Sequence, residues 1–209
     1  MTRGLATIPI APGMRVAAPR SGLQLGLGPN GPVTLRLFRQ TGTRVAAVSA
    51  LPAVQLLAAR AAAGGIQVRV VTARPRQWQP LLARGADAAA VPLTSELPPP
   101  SGPSLVIDDR PEIPRRLGET VAWRCRIDIR TPASSADLRT LVGADVVLVG
   151  ALLPDLALAA TSGMGVSVPH LSQLTSPPAG TVSVLRRGGI DVVTLDPSGE
   201  EAQALAQAG

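Results

Sequence analysis

Two adjacent aspartates, Asp108 and Asp109, close the apolar run Leu105-Val106-Ile107. Paired carboxylates suit divalent-metal binding or general acid–base work. Their place at the end of a short buried strand matters, because open α/β sheets collect ligands along the carboxyl edge of their strands. Thr72 and Arg74 end a second apolar run, IQVRVVT, and share that edge. The competing structural role is that the aspartates cap their loop or pair with Arg110. The sequence supplies no further ligands around them, which favours that role. The third edge position is the turn Ser49-Ala50, between the strand TRVAAV and the helix that follows. Ser49 can give one hydrogen bond to an anion at a helix amino end. Leu51 and Pro52 crowd that entrance, and proline has no N–H to offer, so the turn reads as a degenerate phosphate site. The candidate binding residues are therefore Ser49, Ala50, Thr72, Arg74, Asp108 and Asp109. No catalytic residue, metal-ligand set or cofactor is assigned.

Several chemistries are absent. The chain contains no lysine; all 20 basic residues are Arg. A P-loop lysine and a Schiff-base amine are thus excluded. The string Gly26-Leu27-Gly28-Pro29-Asn30-Gly31 matches G-x-G-x-x-G, but it joins two alternating runs instead of feeding a helix, so it reads as a hairpin turn. His170 is the only histidine, and no G-x-S-x-G elbow accompanies it. Cys125 is the only cysteine, which rules out an internal disulfide and a cysteine zinc cluster. It falls on the apolar side of its run and reads as a core thiol. Arg124, Arg126, Arg186 and Arg187 remain as arginines able to touch phosphate or acidic groups.

The elements that must hold these residues follow from periodicity. Residues 22–38 alternate leucine and valine about Asn30-Gly31, a hairpin. TRVAAV, a helix from the Ser49 cap to Gly64-Gly65, IQVRVVT and a helix opened by Pro75 form a β-α-β-α series, the pattern of a parallel sheet. Residues 96–104 (ELPPPSGPS) read as a stiff connector. The run from Val121 to Ile129 alternates strictly, which predicts one wet face and an edge strand. Ser134 and Ser135 cap a short helix through Leu138 and Leu141. DVVLV is a buried strand, and Pro154 opens a helix to Gly163. Residues 165–179 read as a loop with a helical turn or two. Thr181 to Leu185 and Ile190 to Leu195 make a second hairpin. Ser198 with Glu201 is a capping box for the last helix. The expected fold is a three-layer, Rossmann-like α/β domain with a mostly parallel sheet and antiparallel edge hairpins. Residues 1–40 are expected to form an extension and hairpin, and residues 41–209 the domain itself.

Composition adds a charge asymmetry. Residues 1–86 carry eleven arginines and no acid, whereas residues 87–209 carry nine arginines and fourteen acids. Either the basic part faces an anionic partner, or the two parts pack and neutralise each other; the scattered arginines favour packing. Aromatic residues make up 1% of the chain, which counts against stacking on single-stranded nucleic acid. No signal peptide or stretch of roughly 20 apolar residues is evident, so a cytoplasmic location is expected, with peripheral contact at the inner membrane as a variant.

The segments RQTGTRVAAV, PAVQLLAARA, Thr72-Ala73-Arg74-Pro75-Arg76-Gln77-Trp78, GADVVL and VSVLRRGGIDVVTLDP together resemble the soluble domain of the EccE-type proteins of actinobacterial type VII (ESX) secretion. The resemblance spans roughly residues 33–197 and contains no catalytic signature. It implies an accessory or structural component of a secretion assembly, without enzyme activity, that binds protein partners. Relatives in that family carry N-terminal membrane helices, which this sequence lacks, so peripheral docking is the expectation. The alternative from the residues themselves is a nucleotide- or phosphometabolite-binding Rossmann-like protein. A metal-dependent enzyme built on Asp108 and Asp109 and a nucleic-acid binder are weaker rivals.

Overall fold

The structure is a computed structural model that describes residues 22–92, 101–110, 121–130, 141, 143–167 and 171–208. Ten strands form one sheet: β1 (Leu23–Gly28), β2 (Gly31–Leu35), β3 (Thr43–Val48), β4 (Gln67–Thr72), β5 (Ala88–Val91), β6 (Ser104–Asp109), β7 (Arg124–Arg130), β8 (Val146–Val149), β9 (Thr181–Arg186) and β10 (Gly189–Leu195). Their spatial order is β2-β1-β10-β9-β8-β3-β7-β6-β4-β5. The six strands from β8 to β5 are parallel, and the other four join antiparallel. Both hairpins therefore lie at the same side of the sheet. The three-layer, mostly parallel α/β architecture expected from the sequence is present.

Helices cover the two faces. On one face α1 (Leu51–Ala63), α2 (Pro75–Leu82) and α5 (Gly199–Ala208) pack over a core that includes Val45, Leu57, Trp78, Leu81 and Ile107. On the other, α3 (Pro154–Met164) and the short α4 (Leu171–Thr175) pack with Val48, Val147, Val149 and Leu185. Aliphatic side chains and alanines fill both cores. The chief aromatic contribution is Trp78, fully buried under α2.

Local sequence accounts for most element ends. α1 is rich in Ala and Leu, the strongest apolar helix formers, and its proline sits in the first turn where a missing N–H costs nothing. It stops where the Gly64 N–H bonds the Arg60 carbonyl and Gly65 takes a φ of 74°. The first hairpin pairs Gly28 with Gly31 across Pro29-Asn30, so the G-x-G-x-x-G string is indeed a strand-to-strand turn. A register shift between Gln24 and Gly26 makes the leucine alternation fail there: Leu23 and Leu25 are buried, and Leu27 is exposed. The capping box holds, with the Ser198 N–H bonding the Glu201 carboxylate at 2.8 Å and the Glu201 N–H bonding Ser198 Oγ at 3.3 Å.

Two expectations need correction. Ser49 does not cap α1. It lies one residue earlier in a left-handed conformation, φ 51°, and Ala50 is the cap residue without any side-chain hydrogen bond. The strand predicted at the edge, β7, is instead central, between β3 and β6. Its polar face alternates because it holds an ion-pair network: Arg126 Nε bonds Asp128 Oδ1 at 3.0 Å, and Arg126 Nη2 bonds Asp108 Oδ2 of β6 at 3.1 Å. Asp108 and Asp128 are 2% and 6% exposed, so that face is covered, not wet. Val121 and Trp123 precede the strand, with Trp123 at φ 61°. His170, the helix assigned to Ser134 and Ser135, and most of the 96–104 connector lie outside the described residues.

Candidate functional site at the carboxyl edge of the parallel strands

The strand order creates a topological switch point. β3 runs into α1 on one face of the sheet, while its parallel neighbour β8 runs toward α3 on the other. Where adjacent parallel strands send their chains to opposite faces, the loops diverge, and ligands of open α/β sheets collect there. Here that switch point lies between the Ser49-Ala50 turn and Gly150. It is tightly fitted: the Gly150 N–H bonds the Val48 carbonyl at 2.9 Å, and a methyl group on Gly150 would collide with the Ser49 carbonyl oxygen. Ser49 itself is exposed. The first helical bond runs from the Val54 N–H to the Ala50 carbonyl at 3.2 Å, so the N–H groups of Leu51 and Ala53 at the start of α1 have no partner within the helix.

β7 flanks β3 on its other side and ends at Arg130, directly opposite Val48. The Arg130 Nε is buried and has no hydrogen-bond partner among the described residues. A buried cationic donor without an acceptor is costly, and its backbone is in register with Val48, the last strand residue before the Ser49-Ala50 turn. Sequence reasoning missed this residue. The signal was available, because Arg130 ends the alternating run RCRIDIR as Asp109 ends SLVIDD.

The remaining candidates divide between the two faces, since successive strand residues point opposite ways. Asp109 faces the α2 side. Its Oδ2 accepts from Thr72 Oγ1 at 2.8 Å and from Trp78 Nε1 at 2.9 Å, and its Oδ1 from Arg74 Nη2 at 2.5 Å. The Arg74 N–H closes the ring by bonding Thr72 Oγ1 at 2.9 Å. Thr72, Arg74 and Asp109 thus come together as a saturated network that pins the β4–α2 turn to β6. Asp108 faces the other way, where Arg110 grips it at 2.8 and 2.7 Å and Arg126 adds a third bond. The hydrogen bond to Asp108 holds the Arg110 guanidinium more firmly protonated than usual. The two aspartates therefore do not act as a paired-carboxylate site. Among the described residues no group of three or more His, Cys, Asp or Glu side chains is placed to hold a metal ion. Cys125 is fully buried on the core face of β7, and burial pushes its thiol pKa far up.

Together these features define a three-layer α/β protein with a topological switch point and arginines along the carboxyl edge of its parallel strands. Among solved structures the chain is similar to one described as "ATPase", with 14% identity, a TM-score of 0.52, and coverage of 85% of this chain and 87% of that one. No family model matches the sequence, and no curated protein matches it. These findings overturn the EccE-type resemblance and the type VII secretion role drawn from it. The short segments that suggested it are the strands and turns any protein of this architecture needs. The expectation of a non-catalytic accessory, which rested on that resemblance, falls with it; the likeness found is one of fold, to a structure described as "ATPase". Among the described residues no helix is long and apolar enough to cross a membrane.

Proposed function

We propose that this chain is a nucleotide- or phosphometabolite-binding α/β protein whose ligand sits at the carboxyl edge over β3, with its phosphate at the switch point. The carrying observation is the unpartnered, buried Arg130 Nε at the end of β7, beside the turn that opens α1. An anion there gains a charge-assisted bond from Arg130 and the favourable field of a helix amino end. The likeness to a structure described as "ATPase" supports the reading at the level of fold. Without lysine, arginine must supply the positive charge that a P-loop takes from its lysine. Hydrolysis needs more: Asp108 would have to exchange an arginine for a metal ion before it could act as the magnesium-binding aspartate of such enzymes.

The test is thermal denaturation against a panel of nucleoside mono-, di- and triphosphates and dinucleotides, with and without magnesium. A ligand at a hundredfold its Kd adds about 2.7 kcal/mol, on the order of 5–10 °C for a chain of this length. The expected result is such a rise for at least one compound, abolished in Arg130→Gln. A melting temperature unmoved by every compound overturns the proposal.

A further inference from the structure

At the opposite, amino-terminal edge of the parallel strands lies a second concavity of about 630 Å³, lined by Thr34, Leu35, Arg36, Arg39, Asp145, Val146, Arg186 and Arg187. Its walls come from the end of β2, the chain leading into β3 and β8, and the β9–β10 tip. Four guanidiniums face one carboxylate. Two of the four are accounted for: Arg39 pairs with Asp145 at 3.1 Å and bonds Thr43 Oγ1, and Arg186 pairs with Asp191 at 2.7 Å and reaches the Thr34 carbonyl. Asp145 is held in turn by the Arg44 N–H at 2.8 Å. Arg36 and Arg187 have no hydrogen-bond or ion-pair partner among the described residues, and both are exposed. The tip that carries Arg187 is fixed in place, because the Gly188 N–H bonds the Met164 carbonyl at the end of α3 at 2.9 Å.

From this geometry we infer that the concavity is a second binding site, for a compact oligophosphate group. Like charges gathered around a hollow repel one another, and the hollow's walls focus their field outward. The paired arginines are held still by carboxylates, and the two uncompensated ones stand on different walls. That arrangement matches an anion with at least two charged centres, each able to take a forked guanidinium bond. The volume falls within the ordinary range of small-molecule pockets, roughly 300–1,000 Å³. No aromatic side chain lines it, so a base has nothing to stack on and the phosphates themselves are what is recognised. Six residues of strand, about 20 Å, separate this edge from the switch point, so the two sites are independent.

The experiment is calorimetric titration of the full chain with inorganic pyrophosphate at low salt, alongside flotation with vesicles carrying phosphatidylinositol bisphosphate. Saturable pyrophosphate binding is expected, weakened at least tenfold in Arg36→Ala/Arg187→Ala, and the same weakening is expected when both compared chains also carry Arg130→Gln. That last comparison separates this site from the one at the carboxyl edge. Binding of pyrophosphate without flotation assigns a soluble ligand; flotation lost in the same double variant assigns a lipid headgroup of the same chemistry. Both substituted side chains are exposed, and an unchanged melting temperature verifies that the variant is folded. Absence of binding in both arms, or equal binding by the double variant, overturns the inference.

Discussion

Asp109 shows how one carboxylate organises a turn. Two neutral donors, the Thr72 hydroxyl and the Trp78 indole N–H, depend on it within a buried site. Replacing Asp109 with Ala strands both, at about 1–2 kcal/mol each. Chemical denaturation of Asp109→Ala is therefore expected to show a loss of about 3 kcal/mol. Cys125 gives a second expectation at this scale. Burial raises its thiol, outweighing the lowering influence of nearby Arg39, so the reactive thiolate is suppressed. An aromatic disulfide reagent should leave the native protein unmodified and label one thiol after denaturation; prompt labelling of the folded chain would refute this. Much of the edge was legible from sequence at this resolution: Asp108, Asp109, Thr72 and Arg74 lie at the strand ends where the apolar runs stop. The partner choices were not, because Trp78 and Asp109 are separated by 31 residues and meet only once α2 docks. Arg130 escaped because its burial depends on β7 being central.

Among elements, one arginine links α5 both to α1 and to the sheet. Arg60 of α1 holds Glu201 at 3.0 and 2.9 Å and donates to the carbonyls of Gln24 and Asp196. Burial alone would raise the Glu201 carboxyl, but Arg60 and the Ser198 N–H outweigh it, and the group is held below its ordinary value of 4.5. A lowered folded pKa means stabilisation that is whole above the unfolded value and is lost as pH falls through the folded one. The stability gap between the native protein and Glu201→Gln, measured by denaturation from pH 7 to pH 3, should accordingly narrow on acidification. A gap constant over that range would show that the ion pair contributes nothing. Element boundaries themselves were readable wherever local chemistry sets them, as at Asn30-Gly31, Gly64-Gly65, Pro75 and Ser198. They misled where a longer-range partner decides. The alternation of β7 has two physical causes available, solvent on one face or charges that satisfy one another, and periodicity registers both alike. Ser49 has the side chain of a cap, yet the close approach of Gly150 fixes the turn instead.

Among the described residues, packing neutralises part of the charge asymmetry of the sequence. The ion pairs Arg39–Asp145, Arg60–Glu201, Arg74–Asp109 and Arg84–Glu200 each join a basic residue from the first 86 positions to an acid beyond them. These four arginines are thus tied to acids of the later part of the chain, which composition alone could not decide. The same long-range wiring governs the sheet. β3 is flanked by β7 and β8, with Thr43 opposite Cys125 and Val45 opposite Val146, and the N-terminal β1 is seated against Leu195 of β10. Pairings this distant form slowly, because a long loop must close before any contact rewards it. On the ribosome, β3 would therefore emerge with neither lateral neighbour available. Arg39, Arg60 and Arg84 would wait unneutralised in a polyanionic surrounding until Asp145, Glu201 and Glu200 had been added.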